Sequence, residues 1–267
     1  MEEIHRFFIV GCGRSGTSLL QSLIASHPRV HTFPETHFFN TKIFVPLEKL
    51  PSIMKEFLNK KKIRGCDSYW DHIPTSKEEA ACTFISMLDD STRLKGKDMW
   101  IEKSPVHIHR IEAITSQVPK AQFIHVLRNA MPVVASRYKA THLEPTRWGG
   151  GAQSLTQCFL RWKGDIDISL QYIDYPNHFF VRYENLTRYP ERVVRDVCTF
   201  MGIEYTPQMF EGFATTAKDI MRHDVLPTIR LPQEPVMPEG ADTLEWERLY
   251  KDMRIQQRRL DSAFPLL

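Results

Sequence analysis

The stretch FFIVGCGRSGTSLL, Phe7–Leu20, decides how this chain is read. An apolar run enters a turn containing Gly11, Gly13 and Gly16, and a second apolar run follows. Strand, glycine turn and helix in that order aim backbone N–H groups and a helix N-terminus at an anion. Laid against the phosphate-loop pattern G-x-x-x-x-G-K-[ST], Gly11 and Gly16 fall in place and Ser18 takes the last position. Thr17 stands where the lysine belongs. Two glycines at this spacing also fit an ordinary tight turn; the strand and helix on either side favour an anion.

Working outward, the pattern predicts strands at Arg6–Val10, Val30–Phe33, a third ending near Glu102, a fourth at Gln122–Leu127 and a fifth within HFFVRYENL. Helices are expected at Gly16–Ala25, from Pro105 onward, at Pro132–Lys139, through LTQCFLRWKGDIDISLQYI, through YPERVVRDVCTFMGI ahead of Gly202, and at Thr243–Leu260. Such alternation predicts a three-layer α/β fold of the P-loop type, with a mostly parallel central sheet and helices on both faces. The 267 residues suit one domain, 1–267. Residues 42–91, helical and polar, and 219–240, rich in proline, are expected as insertions that shape an acceptor site or a lid. The glycine run Gly149–Gly151 is expected as a mobile turn, and Lys60–Lys62 as the solvated end of a helix.

Composition narrows the classes. A net charge of +3, with 42% apolar and 25% charged residues, fits a globular protein and argues against a nucleic-acid coat, while allowing a local basic pocket. Five scattered cysteines without a C-x-x-C pair predict a reducing compartment and no zinc site. With no apolar leader or spanning segment ahead of the first strand, a cytoplasmic enzyme is expected, and the sequon at Asn185 reads as chance.

A γ-phosphoryl group with its magnesium carries concentrated charge and calls for the loop lysine. A sulfuryl group carries about one negative charge fewer, so it can be transferred without a metal, and the planar donor fork of Arg14 is placed to supply the remaining positive contact. GRSGTSLL resembles the phosphosulfate loop of sulfotransferases that use 3′-phosphoadenosine 5′-phosphosulfate (PAPS). The resemblance recurs in order from Phe7 to about Tyr205. VLRNAMPVVAS resembles the strand end and helix in which an arginine and, eight residues on, a serine hold the 3′-phosphate; here these are Arg128 and Ser136. FVRYENLTRYPERVV resembles the segment whose tyrosine lies near adenine, here Tyr183, with Glu184 at a helix start. The resemblance thus implies a nucleotide site of Gly13, Arg14, Ser15, Gly16, Thr17, Ser18, Arg128, Ser136 and Tyr183. Each also has a plainer reading, with Arg128 and Ser136 as a strand end and a surface serine and Tyr183 as an aromatic anchor.

For the acid–base chemistry, Pro105 occupies the position of the histidine base found in phenol and steroid sulfotransferases. FPETHFFN and EKSP instead resemble the Glu-x-x-Phe-Phe and Glu-Lys-Ser/Thr-Pro segments of the heparan-sulfate and tyrosylprotein types. That likeness implies Glu35 as general base and Lys103 as the cation beside the transferring group, with Arg14 sharing the charge. A base role is expected either from burial that lifts the Glu35 pKa or from late proton acceptance in a loose transition state. A helix cap at His37 is the alternative role for Glu35, and a surface lysine after a strand for Lys103. The acceptor is expected to be a small molecule, lipid or glycan. A magnesium-dependent P-loop kinase and a non-catalytic nucleotide-binding relative are the competing classes.

Overall fold

The structure is a computed structural model that describes residues 3–61, 63, 65–146, 151–221, 229 and 236–267. Five strands, β1 (His5–Gly11), β2 (Val30–Thr32), β3 (Met99–Lys103), β4 (Gln122–Leu127) and β5 (His178–Arg182), form one sheet in the order β2-β3-β1-β4-β5. Both β1 and β2 pair in parallel with β3, His5 and Val30 each standing opposite Met99. Strands buried on both faces read as continuous apolar runs, and FFIV and FIHVL have that character. Helices connect the strands: α1 (Thr17–Ala25), α2 (Leu50–Lys60), α3 (Lys77–Arg93), α4 (Ile111–Gln117), α5 (Ala130–Leu143), α6 (Leu155–Leu170), α7 (Tyr183–Arg188), α8 (Pro190–Met201), α9 (Gln208–Met221) and α10 (Thr243–Ala263).

The chain divides into two compact units. The first takes Met1–Val10, Leu20–Phe123 and Thr206–Leu226. Its core is aromatic: Phe8 meets Trp100 edge-on at 5.3 Å and stacks with Phe123 at 5.6 Å, and Phe38 stacks on Phe84 at 4.0 Å. Buried Asp89 of α3 accepts from Arg6 of β1 at 2.7 Å and from Trp100 of β3 at 2.8 Å, which pins that helix to the strands. The Ser76 hydroxyl caps α3 by accepting from Glu79 N at 3.1 Å.

The second unit takes Gly11–Leu19, Ile124–Tyr205 and Pro227–Leu267. Here α5, α6 and α10 enclose a core of Leu127, Val134, Phe159, Trp162, Met253 and Leu260. A Ser154/Gln157 capping box starts α6, and Gly202 in the left-handed region ends α8. Gly11, at φ +142°, brings the end of β1 against β4; a Cβ there would lie 2.5 Å from the carbonyl oxygen of Val126.

Several boundaries differ from the sequence expectations. β3 runs on to Lys103, and the segment after Pro105 is a 3-10 turn, Pro105–Arg110, before α4 begins. β5 stops at Arg182 and Tyr183 opens the short helix α7. α5 starts at Ala130, two residues before Pro132, because the Ala130 N–H donates to Gln257 Oε1 of α10 at 3.1 Å. A proline in the first turn costs no helical hydrogen bond. α9 is not anticipated by the pattern, and it takes up 219–221, the start of the expected excursion. Of that excursion, 222–228 and 230–235 lie outside the described residues, as do Lys62, Gly149 and Gly150.

A side chain at position 11 collides with backbone and also forces φ into a costly region. Gly11→Ala is therefore expected to destabilise the protein by about 2 kcal/mol or more, read as a lowered thermal unfolding midpoint. An unchanged midpoint would show that β1 and β4 separate there without cost.

Candidate functional site

In the second unit the turn after β1 folds back on itself, with Ser15 N donating to Cys12 O at 3.2 Å. Gly16 sits at φ +90° and Arg14 at φ +78°, a left-handed conformation that costs a non-glycine residue about 1–2 kcal/mol. That strain turns the Arg14 side chain, which is exposed, so that its Nε donates to Ser136 Oγ of α5 at 3.0 Å. Arg128, at the carboxyl end of β4, donates to the Arg14 carbonyl at 2.9 Å, and its guanidinium lies over the Tyr183 ring at 4.0 Å from the centroid. Tyr183 in turn packs on Gly16: a Cβ at that position would lie 2.6 Å from Tyr183 Cε2. Five residues expected from different parts of the chain thus share one cluster, and Gly13, Ser15, Thr17 and Ser18 belong to the loop at its centre. Ser15 and Thr17 are buried, Gly13 and Ser18 half-buried.

Two buried polar atoms of this cluster, Ser15 Oγ and Arg128 Nε, have no hydrogen-bond partner among the described residues. Burial lowers the Arg128 guanidinium pKa, with Tyr183 and Glu184 acting the other way. A desolvated guanidinium next to a turn of backbone N–H groups suits a bound anion.

Sequence reading missed the network behind Arg128. The Asn129 N–H donates to Glu184 Oε1 at 2.9 Å; Arg182 donates to Glu184 at 3.2 Å, to Asn129 Oδ1 at 2.7 Å and to Asp261 at 2.9 Å. Gln257 of α10 donates to Asn129 Oδ1 and to Asp261, both at 2.8 Å. Glu184 is at a helix start as expected, but its carboxylate also fixes the turn that carries Arg128.

In the first unit, one oxygen of Glu35 accepts from the Lys103 ammonium and the other lies 3.2 Å from His37 Nε2. Lys103 is almost fully buried, whereas Glu35 and His37 are about two-fifths exposed. Burial pushes the Glu35 pKa up, but the charge of Lys103 and the contact with His37 outweigh it and bring the group down to about 2. This corrects the expectation that burial lifts Glu35 toward neutrality. No helix starts at His37, so Glu35 is not a cap; His37 itself stands at φ +50° in a turn.

Behind this pair lies Glu102, fully buried, which the reading of EKSP passed over in favour of its lysine. Its Oε1 accepts from Thr36 N at 3.1 Å, Thr36 Oγ1 at 2.8 Å and Ser104 Oγ at 2.6 Å, and Ser104 Oγ accepts from His37 N at 2.9 Å. The available signal was an acid placed among the buried residues of a strand. Among the described residues, no three His, Cys, Asp or Glu side chains gather as a metal site would require, and no helix is long and apolar enough to cross a membrane.

The profile of the sulfotransferase family matches residues 6–207. Protein-tyrosine sulfotransferase A of Caenorhabditis elegans is 24% identical over 97% of this chain, and the chain spans 65% of that relative's length. The sulfotransferase domain of the Synechococcus olefin synthase has a similar fold, with a TM-score of 0.64 at 18% identity over 95% of this chain and 96% of that one. A mouse sulfotransferase solved in complex with PAP, SULT7A1, aligns with a TM-score of 0.51 at 12% identity, over 97% of this chain and 86% of that one.

The charge of Lys103 holds the Glu35 carboxylate ionised, so Lys103→Met is expected to raise the Glu35 midpoint by about one to three units in a carbon-13 NMR titration. Because the folded value lies below the ordinary 4.5, the pair stabilises the protein at higher pH, and that contribution is lost as pH falls toward 2. An unmoved midpoint in the variant would show that the ion pair does not set the titration.

Proposed function

The chain belongs to the sulfotransferase family, and we propose that it transfers a sulfuryl group from PAPS to a hydroxyl or amine of an acceptor, in line and without a metal. The observation that carries this reading is the convergence of Arg14, Gly16, Arg128, Ser136 and Tyr183 on one glycine turn. Ser15 Oγ and Arg128 Nε, without a partner among the described residues, fit such a nucleotide, since both can donate beside a loop of N–H groups. In a solved relative the same fold holds PAP.

When bound, the nucleotide supplies the sulfuryl group. The loop N–H groups, Arg14, Thr17 and Ser18 hold its 5′ end; Arg128 and Ser136 take the 3′-phosphate; Tyr183 lies against the adenine. Lys103 supplies positive charge near the bond that breaks, where negative charge develops on the departing phosphate. Glu35 takes the proton of the acceptor. With a pKa near 2 it is a weak base at rest. It accepts the proton only late, once bonding to sulfur has made the acceptor oxygen or nitrogen acidic.

The whole chain, 1–267, works as one catalytic domain in this reading, with 42–91 and 219–240 shaping the side that admits the acceptor. A small molecule, lipid or glycan is the acceptor class, and nucleic acid is not a partner. A cytoplasmic place of work agrees with five scattered cysteines that form no C-x-x-C pair.

Glu35→Ala is expected to lower turnover by about 10²–10⁴-fold while PAP affinity stays within a few-fold. Near-normal turnover would remove Glu35 from the base role. Arg128→Ala should instead weaken PAP binding by about tenfold or more in calorimetry, as the loss of a charged hydrogen bond does. An unchanged affinity would take Arg128 out of the nucleotide site.

A further inference from the structure

The turn that carries Glu35 is held from both sides, and the hub of that hold is Glu102. Its Oε1 collects three donors, from Thr36 N, Thr36 Oγ1 and Ser104 Oγ, and Ser104 passes the restraint on by accepting from His37 N. From the other side Lys42 Nζ donates to the Thr36 carbonyl while lying over the Phe57 ring at 4.6 Å. Both N–H groups after Glu35, and the carbonyl between them, are therefore taken. Glu102 Oε2 faces His107 Nδ1 at 2.9 Å, misaligned for a hydrogen bond, and the His107 ring lies edge-on to Phe8 and Phe39. The charged and titratable groups around the two carboxylates are thus Lys103 and His37 at Glu35, and His107 and Lys42 at Glu102.

A neutral acceptor could satisfy one of these donors, but three donors on one fully buried oxygen call for an ionised carboxylate, whose hydrogen bonds are roughly twice as strong. A buried charge costs several kcal/mol unless it is paired and bonded, so its retention here needs a reason beyond packing. We infer that Glu102 is a positioning residue for the proton acceptor: through Thr36 and Ser104 it fixes the turn so that Glu35 stays on Lys103. This rests on the base role proposed for Glu35. Glu102 touches no reacting atom in this account; it acts by holding the backbone on which Glu35 stands. Misplacing a reacting group by about 1 Å costs on the order of a hundredfold in rate, so loosening the turn should be visible in kcat.

Two variants test this. Thr36→Val removes one hydroxyl donor and keeps the shape; Glu102→Gln removes the charge. With Glu35 freed from Lys103, its midpoint, followed by carbon-13 NMR of labelled glutamate and assigned with Glu35→Gln, should rise from about 2 by about one unit or more. In the same variants kcat should fall about tenfold or more, with PAP affinity within about twofold. Should Glu102→Gln fail to fold by circular dichroism, Thr36→Val carries the test with Ser104→Ala. An unmoved Glu35 midpoint in folded Thr36→Val and Ser104→Ala overturns the positioning role. Full turnover in Glu35→Gln would sink the base reading instead, and the titration of Glu35 would still report whether Glu102 holds it.

Discussion

The loop of the second unit depends on backbone that only glycine can supply. Gly11 has to pass within reach of the Val126 carbonyl, and Gly16 has to lie under the Tyr183 ring; a side chain at either place collides with a neighbour. Between them Arg14 accepts a left-handed conformation that ordinary residues avoid. Strain of about 1–2 kcal/mol at such a residue persists only where the surroundings over-determine it. Here Ser136 holds the Arg14 side chain and Arg128 holds its carbonyl. In the proposed function the two arginines, Arg14 and Arg128, carry the positive charge that the phosphate-loop lysine supplies elsewhere. On that reading the absence of the lysine marks a loop that engages a less charged group through a planar fork.

Buried carboxylates do the remaining positional work in each unit. Glu184 receives the Asn129 N–H and the Arg182 guanidinium, so the turn carrying Arg128 is tied to β5 and α10. Glu102 receives Thr36 and Ser104, so the turn carrying Glu35 is tied to β3. Burial pushes the Glu102 pKa up, but His107 and the hydrogen bonds outweigh it and bring the group down to about 2. An acid that stays ionised across the working range can hold backbone without titrating. Glu35, by contrast, is partly exposed and touches a lysine and a histidine.

Local pattern made much of this legible. The strands that are buried on both faces announce themselves as apolar runs, and Gln122–Leu127 is found where it was expected. The loop residues, Arg128, Ser136 and the Glu35–Lys103 pair follow from short motifs with a physical rationale; Arg128 and Ser136 both bond to Arg14 of the loop, and Glu35 meets Lys103. What stayed hidden depends on contacts across long stretches of chain. The start of α5 is set by Gln257, more than a hundred residues away, and no local propensity encodes that. Glu102 reads as one more charge beside a lysine until the fold buries it. The direction of the Glu35 shift also escaped, because burial and ion pairing oppose each other and only geometry says which is larger.

In the proposed function the lysine-free loop, with Arg128 and Ser136, is fitted to a nucleotide bearing a 3′-phosphate and needing no magnesium. Calorimetry of PAP against ATP, each with the metal chelated and again with magnesium present, addresses that fit most directly. PAP is expected to bind at least about a hundredfold more tightly than ATP, a gap of roughly 2.7 kcal/mol, with its affinity unchanged by magnesium. Equal affinities, or tight ATP binding that appears only with magnesium, would contradict that fit.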